Sequence, residues 1–478
     1  MNNEVRVRFA PSPTGYLHLG SLRTALFNYL FARHHNGKFI LRIEDTDQSR
    51  KVEGAVENLI NILNEMGLNY DEGPGFGGEF GPYFQSERLD IYKKYCDELL
   101  ANGHAYYAFE TAEELDEMRK VQQMQGKQTM YDRRARVLTE NEVKEKLDSG
   151  IPYVIRLKVP LDTEIRFTDI IRGNVKIDTN LVDDQVLLKS DGFPTYHLAN
   201  VIDDHLMQIT HIIRGEEWLT SVPKHIILYN AFGWEVPQMA HVPLILNPDK
   251  SKLSKRQGDV ATEDYLRKGY LKEALLNFMT LLGWNPGDGE EKEIFTKAEL
   301  IEKFSIERVN SAGAVFNAEK LNWMNGEYIK NYDIDALSEL IIPYLNADGI
   351  DTSDNIKTKR VIFAIRNYIN KLDEASEQAK VYYNEVKLND EQTAIVKAET
   401  SIQVFNALAA KIEAMLEITA DNFKPVLSEV QKETGVKGKN LFLPVRLALT
   451  GEEHGPELGM IAYVLGKEEV LKRLRAIV

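Results

Sequence analysis

Apolar and polar positions alternate from the start of the chain: Val5, Val7 and Phe9 interleave with Glu4, Arg6 and Arg8, the period-two pattern of a short strand. The loop APSPTG (10–15) interrupts it with two prolines and a glycine. From His18 to His35 the period changes. Leu22, Ala25, Leu26, Tyr29, Leu30 and Phe31 recur at helical spacing, and Gly37 closes the run. Phe39 to Ile43 predicts a second strand, which ends in Glu44-Asp-Thr-Asp47. A strand, a tight loop and a helix opening at that loop are the start of a nucleotide-binding βαβ unit.

Further on the pattern predicts several domains. GPGFGGEFGP (73–82) lacks a Gly-Lys-Ser/Thr ending and follows no clear strand, so it reads as a surface connection and not as a phosphate loop. At 101–185 a charged helical stretch (Thr111 to Gln125), the basic run Tyr131 to Arg136 and a strand-like Tyr153 to Val159 suggest an inserted domain. Apolar α/β character returns at 185–235, and beyond about 327 the sequence reads as helix upon helix. The expected division is 1–100 and 186–240 for the two halves of an α/β, Rossmann-type parallel-sheet domain. Residues 101–185 form the insert, 241–326 a following region, and 327–478 an all-α module.

Composition adds bounds. At 478 residues the chain exceeds one compact core. It is 43% hydrophobic and 27% charged, holds no run near the roughly 20 apolar residues that span a bilayer, and opens with MNNEVRVRFA, which has no apolar secretory segment. A single cysteine, Cys96, excludes an internal disulfide framework and a thiolate-rich zinc site. A cytoplasmic enzyme fits. The net charge of −15 favours small substrates, because nucleic-acid binders usually present basic surfaces.

Two constellations carry candidate chemistry. Ala10 to Ser21 places Thr14, His18 and Gly20 at a strand-to-helix turn, where free backbone N–H groups suit a polyphosphate. Far downstream, Lys252-Leu-Ser254-Lys255-Arg256 puts three cations in five residues, a loop able to neutralise charge developing on phosphates. Taken singly, a capped helix and a solvated basic patch explain each. Asp45, Asp47, Asp203 and Asp204 read as caps and ion-pair partners, so no metal site is assigned to them. Arg8 ends the first strand at the crevice and Arg214 ends a later strand-like run. A planar guanidinium suits a carboxylate, and Glu44 suits an ammonium, although a surface ion pair is the commoner fate of a lone arginine.

Together the His-Leu-Gly-Ser turn and the Lys-Leu-Ser-Lys loop resemble the two signatures of class I aminoacyl-tRNA synthetases. RFAPSPTG (8–15), RIEDTD (42–47), GPYFQSER (81–88), LLKSDG (187–192), PTYHLAN (194–200), IRGEEW (213–218) and LNWMNG (321–326) are similar to bacterial glutamyl-tRNA synthetase. The resemblance is strong over the first 330 or so residues and weaker through the helical tail. Ser21 stands where the class signature has histidine, and Arg256 where many synthetases have serine; both variants are usual in this branch. The resemblance implies a glutamate–tRNA ligase that activates glutamate with ATP and Mg²⁺, without a covalent enzyme intermediate, and passes it to the terminal adenosine of tRNA-Glu.

It assigns catalysis to His18, Lys252 and Lys255; ATP to Thr14, His18, Gly20, Lys252, Ser254 and Lys255; and glutamate to Arg8, Ala10, Ser12, Glu44, Tyr196, Asn200, Arg214 and Trp218. It further implies that the insert takes the acceptor end, that 241–326 contacts the stem, that the helical module binds the anticodon, that activation requires tRNA, and that the enzyme is a monomer without structural zinc or a membrane partner. Three rival readings remain: a form that also charges tRNA-Gln, a truncated paralogue that modifies a tRNA base, and a small-molecule nucleotidylyltransferase. The roughly 150 residues after Gly326 argue against the second, and the insert with its helical tail against the third.

Overall fold

β1 (Arg6–Phe9) is buried along its whole length and pairs in parallel with β2 (Lys38–Leu41), Arg6 opposite Lys38 and Phe9 opposite Leu41. The protein is seen in a computed structural model that describes residues 4–50, 52–253, 261–287 and 289–477. Between the two strands runs α1 (Leu19–His34), whose apolar residues from Leu19 to Ala32 are buried on nearly every side, as expected of a helix enclosed by other elements. Its exit depends on Gly37: a Cβ there would stand 2.1 Å from the Val5 carbonyl oxygen. Only glycine lets the chain turn so close to β1.

The parallel strands continue through distant sequence. The Thr210 N–H donates to the Arg6 carbonyl at 2.9 Å, which sets β1 beside the strand His211–Gly215. That strand pairs in parallel with Gln238–Val242, Arg214 opposite His241. The hairpin Glu164–Asp169 and Gly173–Asp178 joins the same sheet, Asp169 pairing with Met239.

The inserted segment has its own antiparallel sheet of Ala105–Ala108, Val154–Leu157 and Val186–Leu188. Two helices, Ala112–Met124 and Glu140–Asp148, flank it, each opened by a capping box from Thr111 with Glu114 and from Thr139 with Glu142. Val186–Leu188 therefore pairs within the insert, although the sequence places it in the returning α/β half. Conversely, the hairpin Glu164–Asp178, read as insert, pairs with the α/β strands. Short apolar runs do not declare their partners, since strand pairing is a long-range choice. The glycine-rich 73–82 is exposed at its tip, but Glu72 at its base accepts from Arg6 at 2.8 and 3.1 Å and from the Tyr83 hydroxyl at 2.7 Å.

The chain separates into two compact units, Met1–Asp264 with Leu276–Asn317, and Tyr265–Leu275 with Ala318–Val478. Among its described residues the second unit is helical with no strand. Its core gathers Ile329, Leu337, Ile341, Ile365, Phe405, Leu408, Phe423 and Leu449, together with Leu271 and Ala274 from the short early segment. Asn325 locks that segment in place, accepting from the Leu271 N–H at 2.8 Å and donating to the carbonyls of Asn370 at 2.6 Å and Gly269 at 3.3 Å. The helix Ala318–Asn331 runs unbroken through position 327. No described helix is long and apolar enough to cross a membrane.

Candidate active site

At the carboxyl ends of the parallel strands, where doubly wound folds bind ligands, the loop APSPTG turns over a cavity of about 310 Å³. Arg8 reaches it from β1, and Glu44 from the segment after β2. Tyr196 and Asn200 come from one face of the helix Tyr196–Leu206, four residues apart. Arg214 and Trp218 come from the end of His211–Gly215 and the turn after it. With Ala10 and Ser12 on the loop, all eight residues expected around glutamate line this one cavity.

Buried charge organises its floor. Arg8 grips Asp204 through Nε to Oδ1 at 3.0 Å and Nη2 to Oδ2 at 3.2 Å. The wholly buried Arg42 donates to Asp204 at 2.7 Å and to Glu44 at 3.1 Å. Asp203 is held by Arg88 at 2.7 Å, Tyr92 at 2.8 Å and Gln85 at 2.9 Å. Burial alone would raise the Asp204 carboxyl, but the Arg8 and Arg42 guanidiniums outweigh it and hold it below the ordinary range. At Glu44 burial prevails over Arg42 and Arg8 and pushes the carboxyl up.

Arg214 differs from these arginines. It is buried, donates to the Tyr196 hydroxyl at 2.7 Å and to His241 Nε2 at 3.0 Å, and has no carboxylate partner among the described residues. Arg8, Arg42 and Arg88 are each paired with Glu44, Asp203 or Asp204, which leaves Arg214 as the arginine of this set without a direct carboxylate contact among the described residues. Asn200 is 1% exposed, and neither atom of its amide has a partner among the described residues. Buried polar atoms seldom stay unpaired, so this amide and the guanidinium without a carboxylate contact leave hydrogen-bonding capacity open to a polar ligand in the cavity.

The expected ATP residues divide between this cavity and a neighbouring one of about 350 Å³. Thr14 lines the first, Gly20 and Lys252 the second, and His18 both. A Cβ on Gly20 would meet nothing within 4 Å, so the space over that turn is open. The turn pairs with the chain just beyond the basic loop: His18 bridges to Ala261 and the Thr262 N–H donates to the Leu17 carbonyl at 2.9 Å, while Lys252, at the start of the loop, bridges to Leu246. Ser254, Lys255 and Arg256 lie outside the described residues. Among the described residues no group of three His, Cys, Asp or Glu side chains is placed to hold a metal.

Several contributors escape a reading of motifs. Glu217 lines both cavities, and its place in IRGEEW was the available signal. Arg23, buried on α1, donates to the carbonyls of Leu282 and Pro243, beneath the segment that leads to Lys252. Asp169 and His241 carry no sequence signal at all; they meet only because their strands share a sheet.

A parallel-strand crevice, a His-x-Gly turn and a lysine segment beside it define a class I aminoacyl-tRNA synthetase. Residues 4–323 match the family described as tRNA synthetases class I (E and Q), catalytic domain, and residues 336–478 match an anticodon binding domain. The chain is 50% identical to the glutamate–tRNA ligase of Chlorobaculum parvum, covering 98% of this chain and 97% of the relative, and 49% identical to that of Clostridioides difficile, covering 98% of each. A crystal structure of a glutamate tRNA ligase from Elizabethkingia meningosepticum in complex with its amino acid matches with a TM-score of 0.90 at 39% identity, covering 99% of both chains. The chain belongs to the glutamate–tRNA ligases.

Proposed function

We propose that the 310 Å³ cavity holds glutamate and that its neighbour receives ATP, so that glutamyl-adenylate forms where the two meet at His18. As a glutamate–tRNA ligase the enzyme uses ATP as substrate, with Mg²⁺ entering on its phosphates, and the acyl acceptor is the 3′-terminal adenosine of tRNA-Glu. The observation that carries the residue assignment is Arg214, a buried guanidinium without a carboxylate partner among the described residues. Glutamate brings two carboxylates and one ammonium, and so needs cationic groups for the former and an anion for the latter. Arg214 takes one carboxylate, Arg8 offers Nη1, which no described residue engages, and Glu44 faces the ammonium.

In the first step an α-carboxylate oxygen attacks the α-phosphorus and pyrophosphate leaves. In the second, a ribose hydroxyl attacks the acyl carbon and AMP leaves. Charge accumulates at phosphorus in the first step, and His18, Lys252 and Lys255 answer it. The segment 101–185 takes the acceptor end, 241–326 the stem, and the helical unit the anticodon; the anticodon-domain match over 336–478 supports the last of these. The enzyme acts as a monomer. Charging of purified tRNA-Glu and tRNA-Gln with labelled glutamate tests the reading: tRNA-Glu alone should be charged, and charging of both would make this the broader form. Pyrophosphate exchange should need tRNA, and robust exchange without it would remove that part of the proposal.

A further inference from the structure

Behind Arg214, facing away from the cavity, stand two buried residues that touch no substrate position. Asp169 ends the strand Glu164–Asp169 and His241 lies on Gln238–Val242; both are wholly buried. Asp169 Oδ2 is 2.6 Å from His241 Nδ1, and His241 Nε2 accepts from Arg214 Nε at 3.0 Å. The other carboxylate oxygen, Oδ1, accepts the backbone N–H groups of Ile171 at 3.0 Å, Arg172 at 2.9 Å and His241 at 3.3 Å, which fixes the carboxylate plane.

These contacts leave one protonation pattern. A guanidinium Nε–H only donates, so His241 Nε2 must be bare and the imidazole proton must sit on Nδ1, where Asp169 accepts it. The imidazole is then neutral, and burial lowers its proton affinity although Asp169 pulls the other way. The order of groups matters. A carboxylate bonded directly to Arg214 would orient it but would also neutralise it, as Asp204 does for Arg8. A neutral histidine orients the guanidinium and leaves its charge for the ligand.

We propose that Asp169 and His241 are positioning residues for substrate: the chain Asp169–His241–Arg214 fixes the plane of the guanidinium that receives a glutamate carboxylate while keeping its charge uncompensated. The proposal rests on the reading of the cavity as the glutamate site. It differs from that reading in naming two residues outside the cavity wall that decide how well glutamate is held.

Asp169→Asn tests it most directly. The amide keeps the shape and the oxygen that accepts three backbone N–H groups, but its NH₂ now donates to Nδ1. The histidine proton must move to Nε2, against the Arg214 Nε–H. The KM for glutamate should rise ~10-fold or more, as small misplacements of a substrate-orienting group commonly cost. The KM for ATP and the Kd for tRNA should stay within about twofold, and Tm within about 2 °C. Long-range proton–nitrogen spectra of histidine-labelled enzyme should show His241 passing from the Nδ1–H to the Nε2–H tautomer. As a second pair, His241→Gln, whose carbonyl can still accept from Arg214, should keep a near-native KM for glutamate, whereas His241→Leu should lose as much as Asp169→Asn.

Arg214→Ala, assayed alongside, separates the two ideas. If it leaves the KM for glutamate unchanged, the reading of the cavity fails. If it raises that KM while Asp169→Asn and His241→Leu do not, the cavity stands and the relay is overturned. The relay is equally overturned if the variants depress Tm and every kinetic constant together, or if His241→Gln behaves as His241→Leu does.

Discussion

Arg8 and Asp204 meet in a two-pronged pair, Nε to Oδ1 at 3.0 Å and Nη2 to Oδ2 at 3.2 Å, with both side chains almost fully out of water. Asp204 also receives Arg42, so one carboxylate compensates two guanidiniums. Asp204→Ala leaves Arg8 uncompensated in the interior and Arg42 with Glu44 as its remaining hydrogen-bonded carboxylate, and should cost on the order of 3–5 kcal/mol, read as a large fall in Tm. The wild-type pH dependence follows from the depressed Asp204 carboxyl. Its stabilisation is complete above the ordinary value of 3.8 and is lost as pH falls through the lower folded value. Acid titration of Tm should therefore be shallower in Asp204→Asn than in wild type.

Arg214→Ala should cripple use of glutamate while leaving tRNA binding nearly intact. A buried carboxylate deprived of its charged partner costs on the order of 3–5 kcal/mol, a loss of roughly 150-fold or more in kcat/KM for glutamate. Steady-state charging at varied glutamate, beside a filter-binding measurement of tRNA, checks both halves. A change of only a few-fold in kcat/KM would refute the assignment.

Glu44 offers a test with opposite signs for stability and function. Its folded carboxyl is raised by burial, so ionised Glu44 weakens the folded state at neutral pH, and stability rises as pH falls through the raised value toward the ordinary one of 4.5. Glu44→Gln should therefore melt no lower than wild type at neutral pH, yet bind glutamate more weakly because the ammonium loses its partner. In wild type the KM for glutamate should begin to climb on acidification above the ordinary carboxylate range. In Glu44→Gln that limb should be absent from the profile.

Lys255 carries the mechanistic prediction for the basic loop. The transition state of adenylate formation bears more negative charge near the α-phosphate than bound ATP does, so a cation placed there assists chemistry more than binding. Lys255→Ala should lower kcat by ~100-fold or more, with a much smaller change in the KM for ATP. Arg256→Ala should be milder. If Lys255→Ala raised only the KM for ATP, the residue would be a binding clamp.

The parts of the fold legible in the sequence are those set by local periodicity. β1, α1 and β2 fall within a residue or two of the run read from Val5 to Ile43, and the eight cavity residues were reachable because each sits in a compact motif. What stayed hidden depends on pairing across long separations. Asp169 and His241 lie 72 residues apart, and nothing in either neighbourhood announces the other. The same holds for Val186–Leu188, whose partner strand is fixed by the insert's sheet. Net charge misdirected for a different reason: −15 is a sum over the whole chain and carries no information on where along the surface the charges stand.

The segment Tyr265–Leu275 gives the protein a particular order of assembly on the ribosome. Leu271 and Ala274 are made early, but the residues that enclose them extend to Leu474. At roughly 5–20 residues per second, translation of that remainder occupies ~10–40 s, during which these apolar side chains have no finished core to enter. The first unit is interrupted only briefly, because Leu276–Asn317 belongs to it and is synthesised directly after the segment promised to the second. The two halves of this enzyme are thus interleaved in time as well as in sequence, and a ribosome that stalls soon after Asn317 leaves a nascent chain with an orphaned hydrophobic segment, open to chaperones.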